Sequence, residues 1–241
     1  MLFGEVDGPE GSVTVVGLPG WRRTRSDLTT CLHGLPSVAY DLPGFGASPP
    51  PPEPMGAAGY ARVVLDAVSE VAPGPVVILG HSFGGRVAVC AAAQQPERVR
   101  ALVLTGVPLL RPDSPRRRPA LRFRVARALN RRKLLSDARL ETLRHRYGSD
   151  DYRAASGVVR DVLVKVVNES YEEELGKVRC PVELVWGDRD TAAPVAVAVQ
   201  ASGLLADPHL TVLSGVGHDV PKEAPAELRA AVDRRLSAAP A

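Results

Sequence analysis

The sequence predicts an α/β protein, a mostly parallel doubly wound sheet carrying an inserted helical cap. Three observations lead there. Short apolar, β-branched runs alternate with helix-favouring stretches of roughly a dozen residues, the pattern of a parallel sheet with right-handed crossovers. One of these runs passes through a glycine-flanked serine, Gly80-His81-Ser82-Phe83-Gly84-Gly85, straight into a small-residue helix. The alternation stops at residue 108 and resumes at residue 178. Residues 1–107 and 178–241 are therefore expected to form one core domain, interrupted by a helical cap over residues 108–177.

In chain order, Ser12 to Leu18 reads as a strand that ends at Pro19-Gly20-Trp21. Ser26-Asp27-Leu28 opens a short helix, with Ser26 as an acceptable cap. Ser37 to Asp41 is a second strand, followed by a turn-rich loop and the proline string Pro49 to Pro52, which reads as a stiff connection. A helix follows from Tyr60 to Val71, with Ala61, Val64, Leu65 and Val68 at helical spacing. Val76 to Leu79 and Val99 to Thr105 are buried strands. Within the cap, Leu121, Val125 and Leu129 mark one amphipathic helix and the valines between Val158 and Val167 another. The sheet pattern returns as the strand Val182 to Trp186, a helix from Pro194 to Leu204, the strand Leu210 to Leu213 and a closing helix from Ala224 to Leu236.

Composition bounds the function. With 241 residues, 45% of them hydrophobic, the chain can bury a full core, and its net charge of +3 selects no partner class. Cys31, Cys90 and Cys180 are far apart and odd in number, so they read as reduced core residues and not as a disulfide or metal framework. The first residues show no basic-then-apolar leader, and no apolar run approaches the roughly 18 residues of a membrane span. A cytoplasmic protein is the expectation. No cluster has metal-ligand spacing, so neither a metal nor an organic cofactor is implied.

The chemistry centres on Ser82. A strand-to-helix elbow lifts its hydroxyl clear of the sheet and turns the Phe83 N–H and the helix N-terminus toward whatever the hydroxyl attacks. Serine is a poor nucleophile without a base, and that base needs an orienting acceptor. Reactive groups in such sheets gather at the carboxyl ends of strands. Two downstream loops qualify: Gly187-Asp188-Arg189-Asp190 and Gly215-Val216-Gly217-His218. His218 is thus the expected base. His33 and His145 lie away from strand ends, His209 precedes a strand, and His81 is expected to point away from its neighbour on so tight a turn. Asp188 and Asp190 both stay open as the acid.

These motifs, together with the loop Asp41-Leu42-Pro43-Gly44-Phe45-Gly46-Ala47-Ser48, resemble the α/β-hydrolase superfamily, in the cap-bearing branch that includes esterases, lactonases and C–C bond hydrolases. The resemblance covers nearly the whole chain outside the cap. It implies that Asp190, matching the acid of a Gly-x-x-Asp motif, orients His218. It also implies a second oxyanion donor at the Trp21 N–H, within Leu18-Pro19-Gly20-Trp21. Proline replaces the histidine usual in that motif, but the donor is a main-chain group and need not be lost. The implied function is hydrolysis of a small carboxylic ester, thioester or lactone through an acyl-enzyme on Ser82. Relatives with the same triad cleave carbon–carbon bonds or eliminate pyruvate in menaquinone synthesis, which makes a C–C hydrolase or lyase the second expectation. A non-catalytic ligand-binding receptor is the third.

Charge is uneven within the cap. Between Arg111 and Lys133 ten basic residues face the single acid Asp113, and Arg124, Arg127 and Arg131 share one helical face. A solvated face is the ordinary reading of such a run. The sharper one gives these three arginines an anionic or carrier-linked small-molecule substrate. Nucleic acid is not an expected partner, since no recognition motif or aromatic platform accompanies the charge. The sequence leaves oligomeric state open.

Overall fold

The computed structural model describes residues 2–9, 11–110 and 150–238. The first cap helix expected around Leu121, and with it Arg124, Arg127 and Arg131, lies outside the described residues.

Seven strands form one sheet: β1 (Phe3–Asp7), β2 (Val15–Leu18), β3 (Ser37–Asp41), β4 (Val76–His81), β5 (Val99–Thr105), β6 (Val182–Gly187) and β7 (Pro208–Leu213). Their order is β1-β3-β2-β4-β5-β6-β7, and every pairing is parallel except that of β1 with β3. The chain runs outward from β2 to β3, returns to β4 on the other side of β2, and continues outward to β7. The winding direction therefore reverses between β2 and β4, where Leu18 pairs with Gly80. A crevice opens at such a reversal, outside the carboxyl ends of the strands.

β4 is buried along its whole length because both sheet faces are covered. Its side chains divide with a period of two. Val76 and Ile78 enter a core with α2 (Ala57–Val71) and α3 (Phe83–Gln94), whereas Val77 and Leu79 face α1 (Thr29–Leu32) and α9 (Pro225–Ser237). Fully burying each such aliphatic side chain contributes about 1.5–3 kcal/mol. The described part of the chain between β5 and β6 is helical, as expected: α4 (Asp150–Ala154), α5 (Gly157–Val166) and α6 (Glu172–Lys177). α5 places Val162 and Val166 in the core, as the valine spacing foretold. Among the described residues, no helix is long and apolar enough to cross a membrane. The three cysteines are free thiols, and burial pushes the Cys31 thiol up to about 11.

Several boundaries differ from expectation. β1 was not foreseen, because Gly4, Glu5 and Asp7 hide its strand character; it is a mostly exposed edge, a place where charge is favoured. Arg25 anchors it, pairing with Glu5 at 3.1 Å and lying 4.5 Å over the Phe3 ring. Ser26 is not the cap of its helix. A 3-10 turn begins at Arg25 after Thr24, and the Ser26 hydroxyl meets that of Thr24 at 2.7 Å. The helix expected from Pro194 to Leu204 is α7 (Val195–Ser202), and short α8 (Val220–Glu223), just after His218, was unread, being only four residues long.

Buried polar residues on β3 and β6 tie the sheet to the segments that flank it. Asp41 accepts from the Arg25 N–H and Nη1, both at 2.7 Å, and from the Ala47 N–H at 2.9 Å. Glu183, 2% exposed on β6, pairs with Arg234 at 2.8 Å and Arg235 at 2.9 Å, fastening α9 to the sheet. Glu183→Ala would remove charge-assisted bonds to Arg234, which is 48% exposed and can turn to water, and to Arg235, which is 16% exposed. It is therefore expected to cost about 2 kcal/mol and to lower the thermal midpoint by about 4–8 °C in a chain of this size. A midpoint within 2 °C of wild type in calorimetry would contradict that role.

His81 sits at the end of β4, 2% exposed. Burial, helped by the nearby His218, lowers its pKa from 6.5 to about 4. The unfolded imidazole takes up a proton below pH 6.5, whereas the folded one resists until about pH 4. Stability from this group is therefore complete above pH 6.5 and is lost as pH falls toward 4. The loss at pH 5 is about 2 kcal/mol. The drop in thermal midpoint between pH 8 and pH 5 should accordingly be smaller in His81→Gln than in wild type; equal drops would refute this.

Candidate active site

The crevice at the β2/β4 reversal holds the expected residues. Ser82 sits at φ 49°, ψ −112°, one of two non-glycine residues at positive φ among those described. Such a conformation costs about 1–3 kcal/mol and persists only when its surroundings enforce it. Here the backbone does so. The Ser82 N–H donates to Thr105 O at 2.9 Å, joining the elbow to β5. A side chain on Gly84 would run into the Leu18 carbonyl, and one on Gly80 would come within 2.6 Å of the Gly85 Cα. The glycines read from the sequence as permitting an elbow thus let three backbone segments touch.

His218 and Asp190 reach Ser82 from the ends of β7 and β6. His218 Nε2 stands 3.2 Å from Ser82 Oγ, and His218 Nδ1 stands 2.8 Å from Asp190 Oδ2. The His218 ring lies against Gly106, whose φ of 59° follows β5; a Cβ there would come within 3.0 Å of the imidazole. Asp190 Oδ1 accepts the Ala192 and Ala193 N–H groups at 2.9 and 2.8 Å. Burial alone would raise the Asp190 pKa. The hydrogen bond from His218 and those two N–H groups, with the attraction of His218, outweigh burial and hold it below the ordinary value of 3.8. The carboxyl is thus kept charged. Asp188, the other candidate, turns away and accepts the Gly215 N–H at 2.8 Å. Its role is to brace the loop that carries His218.

Trp21 and Phe83 both line the crevice. Among the described residues, neither N–H has a hydrogen-bond acceptor. The Trp21 ring packs edge-on against Phe45 at 4.8 Å and Phe83 at 5.3 Å, so it both walls the crevice and anchors its loop. The cavity measures about 330 Å³, at the small end for ligand sites. Pro108, Leu163, Val166 and Val167 give it an apolar wall, with Arg23, Arg86 and Asp151 at its polar edge. Arg23 is already engaged, with Asp219 at 2.6 Å and Asp27 at 3.2 Å. A larger groove of about 730 Å³ lies beside the proline string and contains none of these groups. Among the described residues, no cluster of three or more His, Cys, Asp or Glu side chains is arranged to hold a metal ion.

One neighbour was underestimated in the sequence. His81 does turn away from the Ser82 hydroxyl, but it packs against His218, ring centres 5.1 Å apart, with Nε2 3.0 Å from the His218 carbonyl oxygen. Its place at the last position of a buried strand, one residue before Ser82, was the available signal. Of the discounted histidines, His33 and His209 are exposed and far from the crevice in the fold, and His145 is outside the described residues.

Comparison with known proteins agrees with this architecture. Over 98 residues the chain is 40% identical to lipase LipV of Mycobacterium tuberculosis, a match covering 40% of this chain and 37% of that protein. Over 101 residues it is 34% identical to the pimeloyl-[acyl-carrier protein] methyl ester esterase of Neisseria meningitidis, covering 40% of this chain and 38% of that protein. The chain thus matches well under half the length of these curated relatives. Among solved structures, a hydrolase from Pseudomonas aeruginosa superposes with a TM-score of 0.72 at 21% identity, covering 98% of this chain and 94% of that one. A thermophilic esterase from Thermogutta terrifontis gives 0.70 at 22%, covering 98% and 92%. The sequence profile described as the alpha/beta hydrolase family matches residues 15–231, nearly the whole sheet and its helices, and the chain belongs to that family.

Proposed function

We propose that the protein is a serine hydrolase of small carboxylic esters, thioesters or lactones, working through an acyl-enzyme on Ser82. The observation that carries this reading is the unbroken chain of contacts from Asp190 through His218 to Ser82, at 2.8 and 3.2 Å, at the wall of a small, largely apolar cavity. In the first half-reaction Ser82 Oγ attacks the substrate carbonyl while His218 Nε2 takes the hydroxyl proton and then passes it to the leaving group. Asp190 holds the Nδ1–H tautomer and stabilises the transient imidazolium. The N–H groups of Trp21 and Phe83 are the proposed donors to the oxyanion, reinforced by the N-terminus of α3. In the second half-reaction water, activated by the same base, releases the acid. In this reading, residues 108–177 form the cap that shapes substrate entry, and the arginine-rich stretch with Arg124, Arg127 and Arg131 supplies any preference for anionic or carrier-linked substrates.

Two measurements test the reading. Hydrolysis of p-nitrophenyl acetate or butyrate, and labelling by a fluorophosphonate probe, should both be lost in Ser82→Ala. A folded wild-type chain inert to the probe would sink the proposal, and probe reactivity without turnover of any ester or lactone would move it to the carbon–carbon chemistry. Asp190→Asn, which keeps the shape but favours the wrong histidine tautomer, should lower kcat by about 10³–10⁴ with little change in KM. A loss confined to KM would remove Asp190 from this role.

A further inference from the structure

We propose that His81 is a positioning residue for the base: its imidazole fixes the backbone of His218, and of the loop carrying Trp21, relative to the residue that immediately precedes Ser82. The assignment rests on the serine-hydrolase reading above and extends it.

The geometry is specific. A carbonyl oxygen can only accept, so the 3.0 Å contact between His81 Nε2 and His218 O requires the proton on Nε2. In the neutral ring Nδ1 is then a bare lone pair, and among the described residues it is buried without a partner. That side of the ring faces Gly20: a Cβ there would lie 3.1 Å from Nδ1 and 3.4 Å from Cε1. The base and the proposed oxyanion loop thus rest on one side chain, which is itself bonded through the main chain to the nucleophile. A core position that needed only bulk would carry an aliphatic residue and leave no nitrogen unpaired.

The base needs this support because its loop is built from permissive backbone. Gly215 has φ 80°, and Gly217 immediately precedes His218. Glu223 holds both flanks, accepting the Gly217 N–H at 2.8 Å and the Asp219 N–H at 3.2 Å. The His218 carbonyl, between them, is held by His81. With Oγ and Nε2 already 3.2 Å apart, little slack remains. A misplacement of about 1 Å costs on the order of 10²-fold in rate.

The test compares His81→Phe, which keeps a ring and loses the donor, with His81→Gln, which keeps an uncharged N–H of similar reach. Loss of positioning predicts that His81→Phe lowers kcat and the rate of fluorophosphonate labelling together, by about 10- to 100-fold, with KM within twofold. His81→Gln should recover most of that loss. Wild-type kcat in His81→Phe would overturn the proposal, as would a change in KM alone or equal losses in both variants. If His81→Phe does not fold, His81→Leu is read against His81→Gln in the same way. Probe labelling of wild type, abolished in Ser82→Ala, reports on the serine-hydrolase reading by itself. Failure of that reading therefore shows in the wild-type protein, and failure of the His81 assignment shows only in the variants.

Discussion

Backbone touching backbone is the constraint on which this structure depends. At the elbow the first turn of α3 lies against the end of β4 and the loop after β2, at distances that leave no room for a Cβ on Gly80 or Gly84. Hydrophobic packing alone does not demand such contact. Its effect is to hold Ser82 in a conformation that an isolated serine would leave at once. The strain is balanced by the buried strands around it, since β2 and β4 are buried at every position and β5 at all but one. Rigidity in the core and exposure of one hydroxyl at its edge are thus two aspects of the same packing.

The second level of organisation is electrostatic. Asp190 is buried, which disfavours its charge, yet it is surrounded by enough N–H donors to remain ionised. His81 is buried, and that burial outweighs the His218 carbonyl and the nearby Asp219, which favour its charge, so its pKa falls to about 4. A charged carboxylate thus stands on one side of His218 and an uncharged ring on the other. Preorganisation of this kind removes the cost of reorienting solvent when charge develops.

How much of this was legible in the sequence follows from range. Ser37 to Asp41 and the β4-to-α3 junction were readable because period, branching and glycine placement act within a few residues. The approach of His218 to Ser82 was readable because it follows a strand end on the same side of the sheet. The choice of Asp190 over Asp188 was not settled by the residues, since both follow β6 by one turn; it depends on which carboxylate meets Gly215 and which meets His218, a matter of contacts nearly thirty residues away. The same limit hid β1, whose strand character exists only against Tyr40 and Arg25, and the part of His81, which lies in a contact across 137 positions of chain.

The reversal of winding between β2 and β4 has a consequence for how such a protein can change. Both loops that meet there, and the ends of β5, β6 and β7, project from one rim, while the opposite rim only returns the chain. The apolar wall of the cavity, Leu163, Val166 and Val167, comes from the segment between β5 and β6, whose strands pair directly at Leu102–Val182 to Leu104–Leu184. That segment is a detour between two neighbours already in register. Its length and composition can drift without disturbing the order of the sheet, so the range of molecules admitted is free to diversify while the groups that act on them stay fixed.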